Sequence, residues 1–256
     1  SPLAYGQQFN SPLDPQQQYL DGDPVYYPDD RTGKYELADD RKASKPNYHP
    51  DFKTIFPRMW STKGNHIKAY KQWSNFKGKP VKFRDGSGRT QTINKPTFIE
   101  NMRYFFNYQV GWMYFRYFMW NFSGRQNDHQ GHGGFEDGNW LTGVSFIDEA
   151  HVGNQKELPE FALNQKARNF FYALPFILGL LGMIYHFRKH KEYAWVVLLL
   201  FFFTGLAIVL YLNQYPFQPR ERDYAYAGSF YAFAIWIGFG VLALYDAARH
   251  LATKEL

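Results

Sequence analysis

The order of apolar and polar positions divides the chain in two. From Asn169 onward, three stretches run without Asp, Glu, Lys or Arg: Asn169–Phe187, Tyr193–Pro219 and Tyr224–Tyr245. A helix needs about 20 mostly apolar residues to cross the hydrocarbon core of a bilayer. The middle stretch contains Trp195-Val-Val-Leu-Leu-Leu-Phe-Phe-Phe-Thr-Gly-Leu-Ala-Ile-Val-Leu-Tyr211, which offers water no polar face. Three consecutive helices apolar all round could hardly be buried in a soluble chain of this size, so the pattern predicts three transmembrane helices. All three lie in the C-terminal half, which excludes a signal peptide. The preceding residues are polar. Pro24–Leu37 reads as a β-hairpin turning at Asp29–Gly33, and Lys79–Ile93 as a second turning at Asp85-Gly86-Ser87-Gly88. The opening 24 residues, with four prolines and a Gln run, read as an extended loop. Between Tyr104 and Phe122, eleven of nineteen residues are aromatic. Tyr and Trp gather where membrane meets water, so this stretch is expected to be a helix at the outer interface. A further span is the alternative, because Asn107, Gln109 and Arg116 make insertion costly without forbidding it. The expected architecture is therefore mainly α and polytopic. It comprises an outward-facing region at 1–100 with small hairpins, an interfacial aromatic helix and polar loop at 101–168, and a three-span region with a tail at 169–256.

Charge orients this arrangement. The link His186-Phe-Arg-Lys-His-Lys-Glu192 carries three Lys or Arg, whereas Arg220 and Arg222 in the next link are balanced by Glu221 and Asp223. Short cytoplasmic links collect Lys and Arg, so the first link and the tail are expected inside a bacterial inner membrane and the N-terminal region in the periplasm. Net charge is +6, with basic residues scattered and no stripe for nucleic acid. The aromatic share, 20%, excludes a disordered chain or a collagen. Absence of cysteine excludes disulfide frameworks, thiolate zinc, iron–sulfur clusters and thiol catalysis.

Two constellations carry candidate chemistry. Arg125-Gln-Asn-Asp-His-Gln-Gly-His-Gly-Gly-Phe-Glu-Asp137 places His129 and His132 beside Asp128, Glu136 and Asp137. These donors leave a divalent metal open without requiring one, since the glycines imply a loop and no strong metal motif is present. A polar loop bonded to its own backbone and a sugar or polyphosphate contact are the other readings. In Asn213-Gln-Tyr-Pro-Phe-Gln-Pro-Arg-Glu-Arg-Asp-Tyr-Ala-Tyr226 four charges alternate in sign between two apolar helices. Arginine snorkelling explains Arg220 and Arg222, but Glu221 and Asp223 gain nothing from anionic headgroups. A guanidinium is the preferred fork for phosphate, and a carboxylate beside it can hold it in place.

Three stretches, Asn107–Phe122, Gly124–Asp128 and Tyr211–Tyr231, closely resemble a family of large inner-membrane proteins of Bacteroidota, grouped with the protein O-mannosyltransferase-like enzymes of the GT-C superfamily. The resemblance extends over nearly all of residues 1–245. It implies a polytopic glycosyltransferase that takes a sugar, mannose by analogy, from a polyprenyl-phosphate donor and passes it to protein acceptors on the outward face. Where this resemblance meets the charge pattern of the 213–226 link, Arg220 or Arg222 is expected to bind the donor phosphate, with Glu221 or Asp223 fixing the guanidinium. The loop holding Arg125, Asn127, Asp128, His129 and His132 would line the substrate entrance. Family members are longer, with spans before this region and the catalytic carboxylate in an earlier outward loop. The chain is thus expected to work with further N-terminal spans or a partner subunit that supplies the carboxylate. A non-catalytic membrane anchor or scaffold that binds a partner protein is the alternative from another class.

Overall fold

The computed structural model describes residues 15–84 and 87–254. Of the opening 24 residues predicted as an extended loop, 1–14 lie outside the described residues, as does the first half of the turn at Asp85–Gly88; the described remainder instead holds a 3-10 turn at Pro15–Gln18 and a short strand at Tyr19–Leu20. The chain forms two compact units, Ser1–Tyr104 and Phe105–Leu256.

In the first unit, β1 (Tyr19–Leu20), β2 (Val25–Asp29), β3 (Lys34–Asp39) and β4 (Lys45–Pro46) form two antiparallel two-stranded sheets, β2 with β3 and β1 with β4. The β2–β3 turn closes through Gly33 N–H to Asp29 O at 2.8 Å, and the Asp29 carboxylate accepts from Arg31 N–H and the Thr32 hydroxyl. Helix α1 (Gly64–Ser74) follows, then β5 (Lys79–Arg84) paired with β6 (Thr90–Lys95), and α2 (Phe98–Tyr104). Glu100 organises the end of this unit. Its buried carboxylate accepts from the backbone N–H of Lys77, Gly78 and Thr97 and from the Thr97 hydroxyl, joining the turn before β5 to the first turn of α2. Burial alone would raise its pKa; the three backbone donors outweigh that and hold it below the ordinary value.

The second unit opens with a π-helical run, Phe105–Phe115, continued by α3 (Arg116–Phe122). A π-helix of this length is rare, because such turns occur mostly singly. After β7 (Gly124–Arg125) come α4 (Ser145–Val152), α5 (Glu160–Leu163) and β8 (Asn169–Phe170), which pairs with β7. Helices α6 (Leu174–Lys189), α7 (Lys191–Thr204), α8 (Leu206–Leu212) and α9 (Ala227–Lys254) complete the unit.

The three-span expectation is corrected here. Two helices, Lys191–Leu212 and Asp223–Thr253, are long and apolar enough to cross a membrane. Only 11% and 28% of their apolar windows are buried within the protein, so most of that surface faces outward. The stretch predicted as the first span falls short because tertiary pairing consumes its start. Asn169 and Phe170 are drawn into β8, Tyr172 and Ala173 take left-handed backbone, and the helix begins only at Leu174. Its 16 residues rise about 24 Å, less than the ~30 Å of a bilayer core. Instead α6 lies alongside α9 and runs in the same direction: Gly179 meets Phe233, Gly182 meets Trp236 and Gly240, and the Tyr185 hydroxyl donates to Asp246 at 2.7 Å.

The interfacial placement of the aromatic stretch is corrected as well. Tyr114, Tyr117, Phe118, Trp120 and Phe122 are buried in the centre of the second unit. Phe118 and Phe122 each pack 4.7 Å from Phe233, Phe118 also meets Phe176 and Phe201, and the Tyr114 hydroxyl shares a 2.6 Å bond with Ser229. The rings pack against one another rather than forming a belt, because edge-to-face pairs fill the space between α3, α6, α7 and α9.

Candidate functional site

Arg116 is the residue on which the site is built. The aromatic helix carries it into the interior, where its side chain is 2% exposed. A buried guanidinium must satisfy its donors, and each of its three nitrogens finds an acceptor. Nε donates to Trp112 O at 3.0 Å and Nη1 to Gly138 O at 2.7 Å, while Nη2 and Nη1 reach the two oxygens of Glu221 at 2.8 and 3.4 Å. The rings of Trp112, Tyr117 and Trp120 surround the cation at 4.3 to 4.6 Å. Glu221 also accepts from the Tyr117 hydroxyl and from Gly131 N–H at 3.2 Å. Burial by itself would raise the Glu221 pKa, but the Arg116 hydrogen bond and charge, aided by Tyr117 and Gly131, hold it below the ordinary value. Burial pushes the Tyr117 phenol far up, so it remains a donor.

Around this pair two loops distant in sequence meet. The loop following α3 and the link between α8 and α9 are joined by Glu221 to Gly131, by Gln130 Nε2 to Gln218 O at 2.6 Å, and by the His132 ring 5.1 Å from that of Phe217. Glycine is needed at 131, where a Cβ would stand 2.3 Å from Asp137 O and block the turn that delivers its N–H to Glu221.

The remaining candidates fall on either side of this junction. Arg220 lies exposed with its guanidinium 5.7 Å from the Tyr224 ring. Arg222 gives its backbone N–H to Tyr117, and its Nε is buried without a hydrogen-bond partner among the described residues. Asp223 opens the short helical turn that leads into α9. Arg125 stacks 4.0 Å over Trp120 and bonds to Asn127 O. Asn127 ties the loop together through Glu136 O, Asp137 and Gly138 N–H. Asp128 accepts from Gln165 at 3.0 Å, and His129 Nδ1 lies 3.2 Å from Asp137. Beyond them a cleft of about 800 Å³ opens towards Gln155, Gln165 and Arg168. Among the described residues, no three His, Asp or Glu side chains gather as a metal ion would require.

Sequence reasoning missed Arg116, Tyr117 and Arg168. The first was read only as an obstacle to membrane insertion. A signal was present: an arginine among eleven aromatic residues needs a carboxylate partner, and Glu221 was one of the two acidic residues that arginine snorkelling left unexplained.

A family model described as a family of unknown function (DUF8416) matches residues 1–106, less than half of the chain. No curated protein and no solved structure matches.

Proposed function

We propose that the chain is part of a membrane glycosyltransferase that moves a sugar, mannose by the sequence resemblance, from a polyprenyl-phosphate donor to protein acceptors on the outward face of a bacterial inner membrane. One observation carries the reading: two of the three stretches that carry the resemblance, Asn107–Phe122 and Tyr211–Tyr231, meet at the Arg116–Glu221 pair. Glu221 is spent on Arg116, so the guanidiniums left to meet a donor phosphate are those of Arg220, exposed, and Arg222, with an unpartnered Nε. Arg188 and Lys189 precede the span Lys191–Leu212 and Lys191 opens it, which favours its start as the cytoplasmic end and directs the 213–222 link outward. In this reading the catalytic carboxylate comes from further spans or a partner subunit.

The test uses the protein in its native membranes with labelled polyprenyl-phosphate mannose. Arg220→Gln and Arg222→Gln, singly and together, are expected to cut transfer to protein at least tenfold with expression unchanged, one phosphate contact being worth about 1.5–3 kcal/mol. An Asp128→Asn, His129→Ala double variant is expected to raise the acceptor KM. The scaffold reading has its own support: the family match coincides with the first unit, whose β2–β3 hairpin exposes Tyr26, Tyr27, Tyr35 and Leu37. Undiminished transfer in the double Arg variant would favour it.

A further inference from the structure

The cleft beside the Arg125–Asp137 loop has a wall in two layers. The inner layer is spent on holding the backbone. Gln126 Nε2 donates to Phe135 O at 2.9 Å and its Oε1 accepts from Asn139, while Asn127 binds Glu136 O and Gly138 N–H. The layer lining the opening keeps capacity in reserve. The Glu136 carboxylate makes no hydrogen bond or ion pair among the described residues. Asp137 uses one oxygen on His129 and Asn127 and keeps the other. Arg168 gives Nη2 to Gln155 Oε1 at 3.1 Å, and its Nε and Nη1 donors remain. Two rings complete the lining, Phe135 and Phe161, 71% and 78% exposed.

We infer that this cleft binds a neutral oligosaccharide. Each sugar hydroxyl both donates and accepts, and the opening offers acceptors at Glu136 and Asp137 and donors at Arg168. The C–H face of a pyranose lies against an exposed ring, where the negative π face meets weakly positive hydrogens. Charge excludes the neighbouring classes. The opening carries the Glu136 and Asp137 carboxylates, the latter beside His129, against the single Arg168 guanidinium, a balance that disfavours a phosphate or polyanion without building a polycation site. The volume lies within the range that encloses a drug-sized ligand, the size of a di- or trisaccharide. The cleft lies on the loop after α3, whereas Arg220 and Arg222, proposed for the donor phosphate, lie on the link between α8 and α9. Naming the cleft as the subsite for an already glycosylated acceptor rests on the transferase reading; the binding itself does not.

Saturation-transfer NMR on the full chain in detergent, with mannotriose, maltotriose and chitotriose as probes and trigalacturonic acid as charged control, tests the inference. Saturation is expected to reach at least one neutral trisaccharide and not the charged trimer. It should fall at least fivefold in a Glu136→Ala, Phe161→Ala double variant, which alters exposed side chains and leaves the inner layer intact. Silence from all three neutral probes, equal saturation of the charged trimer, or an undiminished signal in the variant would each overturn it. The transfer assay separates the two claims. Trisaccharide binding without any mannose transfer removes the transferase and leaves the cleft, and transfer without trisaccharide binding does the reverse.

Discussion

Arg116 and Glu221 show how one buried pair decides the behaviour of two loops. Removing one member leaves the other as an uncompensated buried charge, which typically costs about 3–5 kcal/mol. Glu221 keeps 18% exposure, so Glu221→Gln is expected near the low end, about 3 kcal/mol, read as a lower midpoint of thermal unfolding in detergent. An Arg116→Met, Glu221→Gln double variant should be less unstable than the two single losses added, because neither charge is then stranded. The pH dependence has a definite sign. The folded pKa of Glu221 is depressed, so its contribution is fully present above the ordinary value of 4.5 and is lost as pH falls through the folded value. Glu221→Gln should therefore flatten the acid-side loss of stability, which Glu100, shifted the same way, leaves only in part. Of this chemistry the sequence made the loops legible and the pairing illegible. Glu221 stands beside Arg220 and Arg222, yet its partner is more than a hundred positions away, and proximity in sequence favours the wrong arginines.

At the scale of elements, α6 and α9 pack through small residues. A Cβ on Gly182 would lie 1.8 Å from Trp236 O and 2.4 Å from Gly240 N, backbone atoms that cannot rotate aside. Gly182→Ala is expected to part the helices at a cost of about 1–3 kcal/mol, while Gly238→Ala, whose Cβ meets nothing within 4 Å, should be neutral or slightly stabilising by thermal unfolding. The hairpins β2–β3 and β5–β6 were legible because turn residues and alternation are local signals. The length of α6 was not. Absence of charge marks where a helix is allowed, whereas its start at Leu174 is set by the pairing of Asn169 and Phe170 with the strand after α3.

For the whole molecule, the proposed topology sets Lys191 and the 213–222 link on opposite sides of a bilayer, with Lys191–Leu212, long and apolar enough to cross, between them. The chain has no cysteine, so single replacements report cleanly. With a membrane-impermeant maleimide on spheroplasts, Phe217→Cys is expected to label and Lys191→Cys to label only after permeabilisation. Equal labelling of both in intact spheroplasts would remove the crossing by Lys191–Leu212.

The sequence by itself determined the division into a polar and an apolar part, the two hairpins, and the two helices long and apolar enough to cross a membrane, because these depend on composition and period along a continuous stretch. Tertiary structure alone decided the rest. It shortened α6, turned the aromatic stretch from a surface belt into a core, and assigned Glu221 to Arg116. Each of these turns on which distant surfaces meet, and a buried ring or charge takes the partner that best fills its space or satisfies its donors.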